Sequence, residues 1–543
     1  MLWLISCATV LAYLPSLTGG WVWDDHELFE HNTALKDWGR LVTGNLFDPS
    51  GRESLVYRPL VALSFGIEQA LLPGPFVSRA INLSLLLAAT HGLARWAIAL
   101  GATAPMACFG AAVFALHPAG SEAVAWVSGR QDLLPTALVI CAGAAFFEGK
   151  ERTAGVLLLL APFAKETFLL APFAATLWCA ATNRWSRAML VPACIGTVAY
   201  LAIRAMLHIP FIPDAGSIAP LAALGGLGIR FGELVLRPDL ADALPTLRGS
   251  STVGVSLILL ASVGLLWKRT RTRWAPVLSL ALLCAPGALA SSHTLLASDR
   301  FLLSAFAALG LAIATVASPL LCSRFKSRGT WIVGGSICVL LLILTAFRSA
   351  AWRSDRALFE QAYVRAPTNP RAAFHLGHAL HQYESRCDLA IPLYQQARDD
   401  NRALNNLLAC AVDTGDYALA LSLAEEAIQA DIENPHPAAS AARAAAATGN
   451  LADAKRWAEE AVSRAPDRAR NWVLLGNISG QLGEFSKALE AFERALSLDP
   501  TDRAAIRGRE AAQRHLTRQE AAPTPDQSES DSDAVPANSV NPE

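Results

Sequence analysis

Acidic and basic residues that could carry chemistry gather in five short stretches of this 543-residue chain, each between or beside long apolar runs. The first is WVWDDHELFEHN, with Asp24, Asp25, His26 and Glu27, and the same inter-run segment ends in Tyr57-Arg58-Pro59-Leu60. HPAGSEAVAWVSGRQDLL follows, with His117, Glu122, Arg130 and Asp132; then AKET, with Lys165 and Glu166; then SSHTLLASDR, with His293, Asp299 and Arg300. Carboxylates can take a proton from an acceptor hydroxyl, while Arg and Lys can hold a phosphate and neutralise the charge that develops as it leaves. That combination suits a transfer reaction. Adjacent carboxylates repel, so one of Asp24 and Asp25 is expected to have a raised pKa unless a cation lies close. Consecutive side chains also point in different directions, so only one is expected to face a substrate. Each motif has a plainer reading: two acids in a loop are commonly solvated or capping groups. Glu122 and Arg130, eight apart, can share a helical face as a structural ion pair, and Lys165 and Arg300 each neighbour an acid. Only the set of five favours a site.

The elements that must position these groups are membrane-type helices. The chain is 53% hydrophobic and 17% charged, and its net charge of -1 is the sum of two unlike parts. Residues 1–350 carry 25 Lys+Arg and 18 Asp+Glu, whereas 351–543 carry 20 and 28. A helix needs about 20 apolar residues to cross a hydrocarbon layer. Apolar runs near 2–19, 77–99, 104–118, 131–147, 154–164, 168–181, 188–207, 252–267, 274–290, 301–322 and 330–347 predict about eleven spans, the fifth and sixth being short. The basic clusters Lys150/Arg152, Arg184/Arg187, Lys268/Arg269/Arg271/Arg273 and Arg324/Lys326/Arg328 then fall on one side, which the positive-inside rule makes cytoplasmic. All five charged stretches fall on the other side. LWLISCATVLAYLPSL resembles a signal sequence but lacks a basic n-region and a small-residue cleavage site, so a retained first helix is expected.

The second part shows internal periodicity. Ala420, Ala454 and Ala488 are spaced by 34, as are Ala424, Ala458 and Phe492, then Ala427, Ala461 and Ala495; Pro466 and Pro500 keep the step. A 34-residue period with small residues where helices cross is the tetratricopeptide signature, and Trp472, Leu475 and Gly476 fit its first helix. A degenerate repeat over Asn369–Ala397 and a lone helix, DRALFEQAYVRAP, precede it. Stacked helical hairpins of this kind form a concave surface suited to extended peptides, or serve as a plain scaffold. The predicted fold is all-α: a polytopic bundle over 1–350, an α-solenoid over 351–518, and a disordered acidic tail over 519–543. The ten cysteines are spread singly with no C-x-x-C pair; Cys387 and Cys410 can pair or stay as buried thiols.

Asp24-Asp25 after the first run, YRPL at 57–60, HPxxxEAVAWVxGRxDLL at 117–134, Lys165-Glu166, DRFLLS at 299–304 and the C-terminal repeats occur in one order. This order resembles that of the transmembrane tetratricopeptide-repeat O-mannosyltransferases, members of the GT-C glycosyltransferase superfamily, over almost the whole chain except the tail. The resemblance implies an inverting transfer of a sugar, expected to be mannose, from a polyprenyl-phosphate donor to Ser/Thr hydroxyls of extracytoplasmic proteins. It implies that Asp24/Asp25 supply the base with Glu122 assisting, that Arg58, Arg130, Lys165 and Arg300 hold the donor phosphate, and that His117, Asp132 and Glu166 lie against substrate. No cofactor is implied, and no residue pattern demands a metal. Few repeats and the use of 38 Arg against 7 Lys suggest a bacterial member, placed in an inner membrane with periplasmic repeats, or in the ER membrane if eukaryotic. The acceptor protein or peptide, the lipid-linked sugar and membrane lipids are the expected partners.

Competing readings are a membrane-anchored repeat scaffold for envelope assembly and a GT-C enzyme with a lipid or polysaccharide acceptor. A transporter lacks matched halves with broken helices. GxxxxGK[ST], HExxH and GxSxG are absent, and topology explains the basic loops without nucleic acid. The sequons at Asn82 and Asn477 read as chance.

Overall fold

The computed structural model describes residues 1–30, 32–43, 56–209, 229–236, 271–283, 299–317 and 328–520. Among the described residues no strand occurs. The chain divides into two compact units, Met1–Ala366 and Pro367–Glu543. His293 and the acidic tail beyond Glu520 lie outside the described residues, as does the expected span at 252–267.

The helices of the first unit are α1 (Leu2–Leu17), α2 (Trp38–Thr43), α3 (Pro59–Leu71), α4 (Pro75–Ala99), α5 (Ala104–Leu116), α6 (Ser121–Ala125), α7 (Arg130–Phe147), α8 (Glu151–Ala164), α9 (Ala171–Thr182), α10 (Arg187–Met206), α11 (Arg271–Leu282), α12 (Leu303–Ala312), α13 (Arg328–Ala351) and α14 (Asp355–Arg365). Proline sits in the first turn of α3, α4, α5 and α9, where its missing N–H has no helical partner to lose. The eleven expected spans are shown only in part. Among the described residues three helices are long and apolar enough to cross a membrane: α4, α10 and Trp331–Ala351 within α13. Five shorter apolar helices accompany them, including Pro59–Leu71, which hydropathy did not single out. An apolar run records composition, whereas helix length is set by where the backbone breaks. Pro162 in the last turn of α8 marks such a break, for the next residue outside the helix, Lys165, is extended at φ -160 and ψ 135.

The two ends of the bundle carry different chemistry. α4 and α7 run side by side in the same direction, so Asn82 meets Arg130 near their first turns and Arg95 meets Glu148 near their last. Lys150 and the Arg184–Glu151 pair share that second end. At 1.5 Å per residue, the 18 residues of α7 separate the ends by roughly 27 Å. Arg79, fully buried, ties the first end together through the carbonyls of Gly19, Gly20, Ala125 and Trp352. Its neighbour Asn82 is also fully buried and donates to the carbonyls of Val124, Trp126 and Val127, a packing role in place of the apparent sequon.

In the second unit, α15 (Pro370–Glu384) to α22 (Phe485–Leu498) form four antiparallel pairs: α15 with α16 (Cys387–Gln396), α17 (Asn401–Asp413) with α18 (Tyr417–Ala430), α19 (His436–Ala447) with α20 (Leu451–Arg464), and α21 (Ala469–Gln481) with α22. α23 (Arg503–Glu520) closes the stack. The periodic alanines of α18, α20 and α22 are completely buried, and Phe492 nearly so. A Cβ on Gly476 would come within 2.8 Å of the Phe492 ring, which is why the helices of that pair meet at a glycine. Gly415, Gly449 and Gly483, also 34 apart, turn each of the last three pairs at φ between +77 and +81. The units part at Ala366, sixteen residues beyond the charge boundary near 350, because Asp355, Leu358 and Phe359 of α14 are buried in the first unit. Cys387 and Cys410 form a disulfide between α16 and α17, with Cα atoms 5.2 Å apart.

Candidate active site at one end of the bundle

The segments at the first end are anchored before they present any charge. Leu28, Leu35, Leu41, Val61, Phe65, Val127 and Ala164 form one apolar cluster that packs the loop after α1 onto α3, and Trp21 and Phe65 close around Phe29. On this base the adjacent acids separate. Asp25 is completely buried; its Oδ1 accepts from the backbone N–H of Ser128 at 3.1 Å and from its hydroxyl at 2.7 Å. Among the described residues no donor reaches its Oδ2. Burial pushes the Asp25 carboxyl up to about 7, with Ser128 and Arg79 pulling against it. Asp24 stays at the surface. Crowding by the surrounding protein still lifts its carboxyl above the usual range; the Arg300 guanidinium opposes this, while Glu27 and Asp355 add to it.

Around Arg300 the other motifs converge. Its backbone N–H donates to Glu122 Oε2 at 3.2 Å, and its guanidinium lies 3.6 Å from Glu122 Oε1 and 3.5 Å from Asp132 Oδ2. The same guanidinium lies over the Trp126 ring, 4.5 Å from its centroid. Lys165 pairs with Asp132 Oδ1, and Arg58 forms a two-pronged pair with Glu166 while reaching Gln131. Burial lowers the Lys165 ammonium, against the pull of Asp132. Burial also raises the Glu166 carboxyl, but Arg58 outweighs it and holds the group at about 2. Asp132, Lys165, Thr136, Phe168, Arg300 and Ser304 surround a cavity of about 10 Å³, room for roughly one water. Any larger ligand must open these ion pairs.

Two expected members stand elsewhere. Glu122 and Arg130 do not share a helical face, because the chain leaves α6 at Trp126 in an extended conformation before α7 begins. Arg130 instead is buried, over Phe65, with its guanidinium bonded to Asn82, Ser64, Glu68 and the Ser78 carbonyl. These bonds hold it in the scaffold behind the site. His117 is buried against Phe306 at 4.0 Å, with its Nδ1 accepting from the Ala119 N–H, and so caps the turn before α6. Ser128, Trp126, Gln131 and Glu68 escaped the sequence reading; the first three lie inside the 117–134 box and could have been found there, while Glu68 carries no local signal. The described group of clustered metal-ligating side chains is His381, Cys387 and Cys410, whose sulfurs are bonded to each other.

Tetratricopeptide-repeat family models match residues 380–435, 411–478 and 469–502. The second unit is thus built of tetratricopeptide repeats, a protein-interaction module. No curated protein matches the chain. Among solved structures, the chain is similar to the repeat domain of Sgt2 from Aspergillus fumigatus, at 24% identity over 25% of this chain and 90% of that one, with a TM-score of 0.22. It is also similar to MamA from Desulfovibrio magneticus RS-1, at 16% identity, 27% and 85% coverage and a TM-score of 0.26. YrrB, described as a repeat protein with an unusual peptide-binding site, matches at 15% identity, 35% and 96% coverage and a TM-score of 0.27.

Proposed function

We propose that the chain is a membrane glycosyltransferase of GT-C type, with about eleven spans, that moves a sugar, mannose in the first instance, from a polyprenyl-phosphate donor to Ser/Thr hydroxyls of extracytoplasmic proteins docked on its repeats. The observation that carries this reading is the convergence of Asp24, Glu122, Asp132, Lys165 and Arg300 from four separate segments at one end of the bundle. In the proposed reaction the acceptor oxygen attacks the anomeric carbon, Asp24 takes the hydroxyl proton, and the bond from that carbon to the phosphate oxygen breaks with inversion. Arg300 and Lys165, shifting from Glu122 and Asp132, would neutralise the departing lipid phosphate, with Arg58 beside them.

A membrane setting is supported by exposed large apolar side chains such as Trp3, Leu11, Val191, Val198, Ile332, Leu340 and Phe347 on α1, α10 and α13. The roughly 27 Å between the charged ends matches a hydrocarbon layer. A disulfide in the repeats favours an oxidising, extracytoplasmic compartment for them. The repeats alone favour a second reading, a membrane-anchored interaction scaffold. Membranes containing the protein, given synthetic polyprenyl-phosphate mannose and a Ser/Thr-rich peptide, should transfer mannose. Asp24→Asn should lower that rate at least about 10²-fold, the low end of what a general base contributes. Full activity of Asp24→Asn would overturn the assignment of the base, and unchanged protein glycosylation in cells lacking the gene would favour the scaffold.

A further inference from the structure

Trp23 adopts φ +61, a left-handed conformation that a bulky side chain rarely takes and that persists only where its surroundings over-determine it. It stands directly before Asp24 and Asp25, so its backbone sets where both carboxyls point. Its surroundings come from the far end of the unit in sequence. The Trp23 N–H donates to Asp355 Oδ1 at 2.9 Å, across 332 residues. The other oxygen of Asp355 meets His26 Nε2 at 3.0 Å, and His26 Nδ1 meets Glu30 Oε2 at 2.6 Å. The Trp23 ring stacks on Trp126 at 5.3 Å and meets the edge of Phe359 at 6.0 Å, so Trp126 carries Trp23 as well as the Arg300 guanidinium. Asp355 is buried, as is Phe359, and both belong to α14.

We infer that Asp355 is a positioning residue: from the first turn of α14 it clamps the strained Trp23 turn through Trp23 and His26, and so aims Asp24 toward Arg300. The catalytic meaning of the clamp rests on the transferase reading above; the clamp itself does not. With an acid at each ring nitrogen, His26 bridges α14 and the loop only as imidazolium, donating from both nitrogens, whereas the neutral ring has one N–H to give. Asp355 from α14 and Glu30 from its own loop face it with their carboxylates. Burial pulls the His26 ring down, but these two acids outweigh it and raise it to about 9, so the bridge is intact at neutral pH.

The test uses the full-length protein in lipid nanodiscs, with two readouts. Amide hydrogen exchange of the 21–30 segment, corrected for intrinsic rates, should speed up about tenfold in Asp355→Asn and in His26→Gln at pH 7 while exchange in α7 stays unchanged. In the wild type the same loss should set in as pH passes about 9, and His26→Gln should lack that step. Mannose transfer from polyprenyl-phosphate mannose should lose at least about tenfold in kcat in Asp355→Asn, with KM for the donor unchanged. Unchanged exchange at 21–30 would overturn the clamp. Faster exchange with unchanged kcat would overturn its positioning role. If the wild type transfers no mannose, the transferase reading fails, and the exchange result still decides the clamp.

Discussion

Asp24 and Asp25 share a peptide bond but not an environment, and the difference assigns them different work. Asp24 keeps a face toward solvent and Arg300, as the proposed base would need; Asp25 is enclosed and gives one oxygen to Ser128. Because the folded carboxyl of Asp25 stands near 7, above its unfolded value of 3.8, the folded state holds a proton that the unfolded state has released across that window. The stabilising proton is fully present below about 4 and lost as pH rises through about 7. Asp25→Asn, whose amide oxygen can still accept from Ser128, should therefore melt at a higher temperature than wild type at pH 8, with the gain shrinking steadily toward pH 4. A pH-independent difference would mean that Asp25 is ionised in the folded protein. Mannose transfer by Asp25→Asn should fall far less than transfer by Asp24→Asn.

At the scale of the elements, one ionic and one covalent tie join helices across the chain. Arg130 and Glu68 are both about 1% exposed and join α7 to α3. Removing one partner of a buried pair leaves the other uncompensated, so Arg130→Ala should destabilise the first unit by about 3–5 kcal/mol and lower its melting temperature in detergent. Arg300→Ala, at a half-buried position beside the cavity, should lower melting less than Arg130→Ala does while abolishing transfer. Equal destabilisation by both would place Arg300 in the scaffold too. In the second unit the Cys387–Cys410 disulfide closes a loop with a sequence separation of 23. Cys387→Ser, or reductant on the wild type, should lower the melting of the repeats by an amount corresponding to about 3 kcal/mol. An unaltered melt would show that the cysteines are reduced in the isolated protein.

At the scale of the molecule, the proposed function divides chemistry and recognition between the two compact units. Deleting residues 367–520 should therefore spare hydrolysis of polyprenyl-phosphate mannose by water but impair transfer to protein acceptors about tenfold or more. Parallel loss of both would show that the repeats are needed for the first unit to fold. Single cysteines placed at Lys150 and at Glu27 in a cysteine-free background should react with impermeant maleimide from opposite sides of sealed vesicles, Glu27 from the periplasmic side. Labelling of both from one side would refute the proposed topology.

Period and charge balance were legible from the sequence because each is a property of composition along the line of the chain. The 34-residue step located the buried alanines of α18, α20 and α22, and the charge boundary near 350 came within sixteen residues of the division at Ala366. The candidate site residues were legible as types, since charged groups among apolar runs stand out. Their roles were not. Nothing local distinguishes Asp24 from Asp25, or Arg130 from Arg300, because burial and partners come from segments far apart in the chain: Ser128 for Asp25, Glu68 and Asn82 for Arg130, Glu122 and Asp132 for Arg300, and Asp355 for the turn that aims the acids. Helix length escaped for a related reason, since hydropathy cannot see a backbone break such as the extended Lys165 or Trp126. Sequence set which charges the protein owns; tertiary packing decided which of them hold the fold and which gather in the candidate site, because desolvation and pairing are set by three-dimensional neighbours.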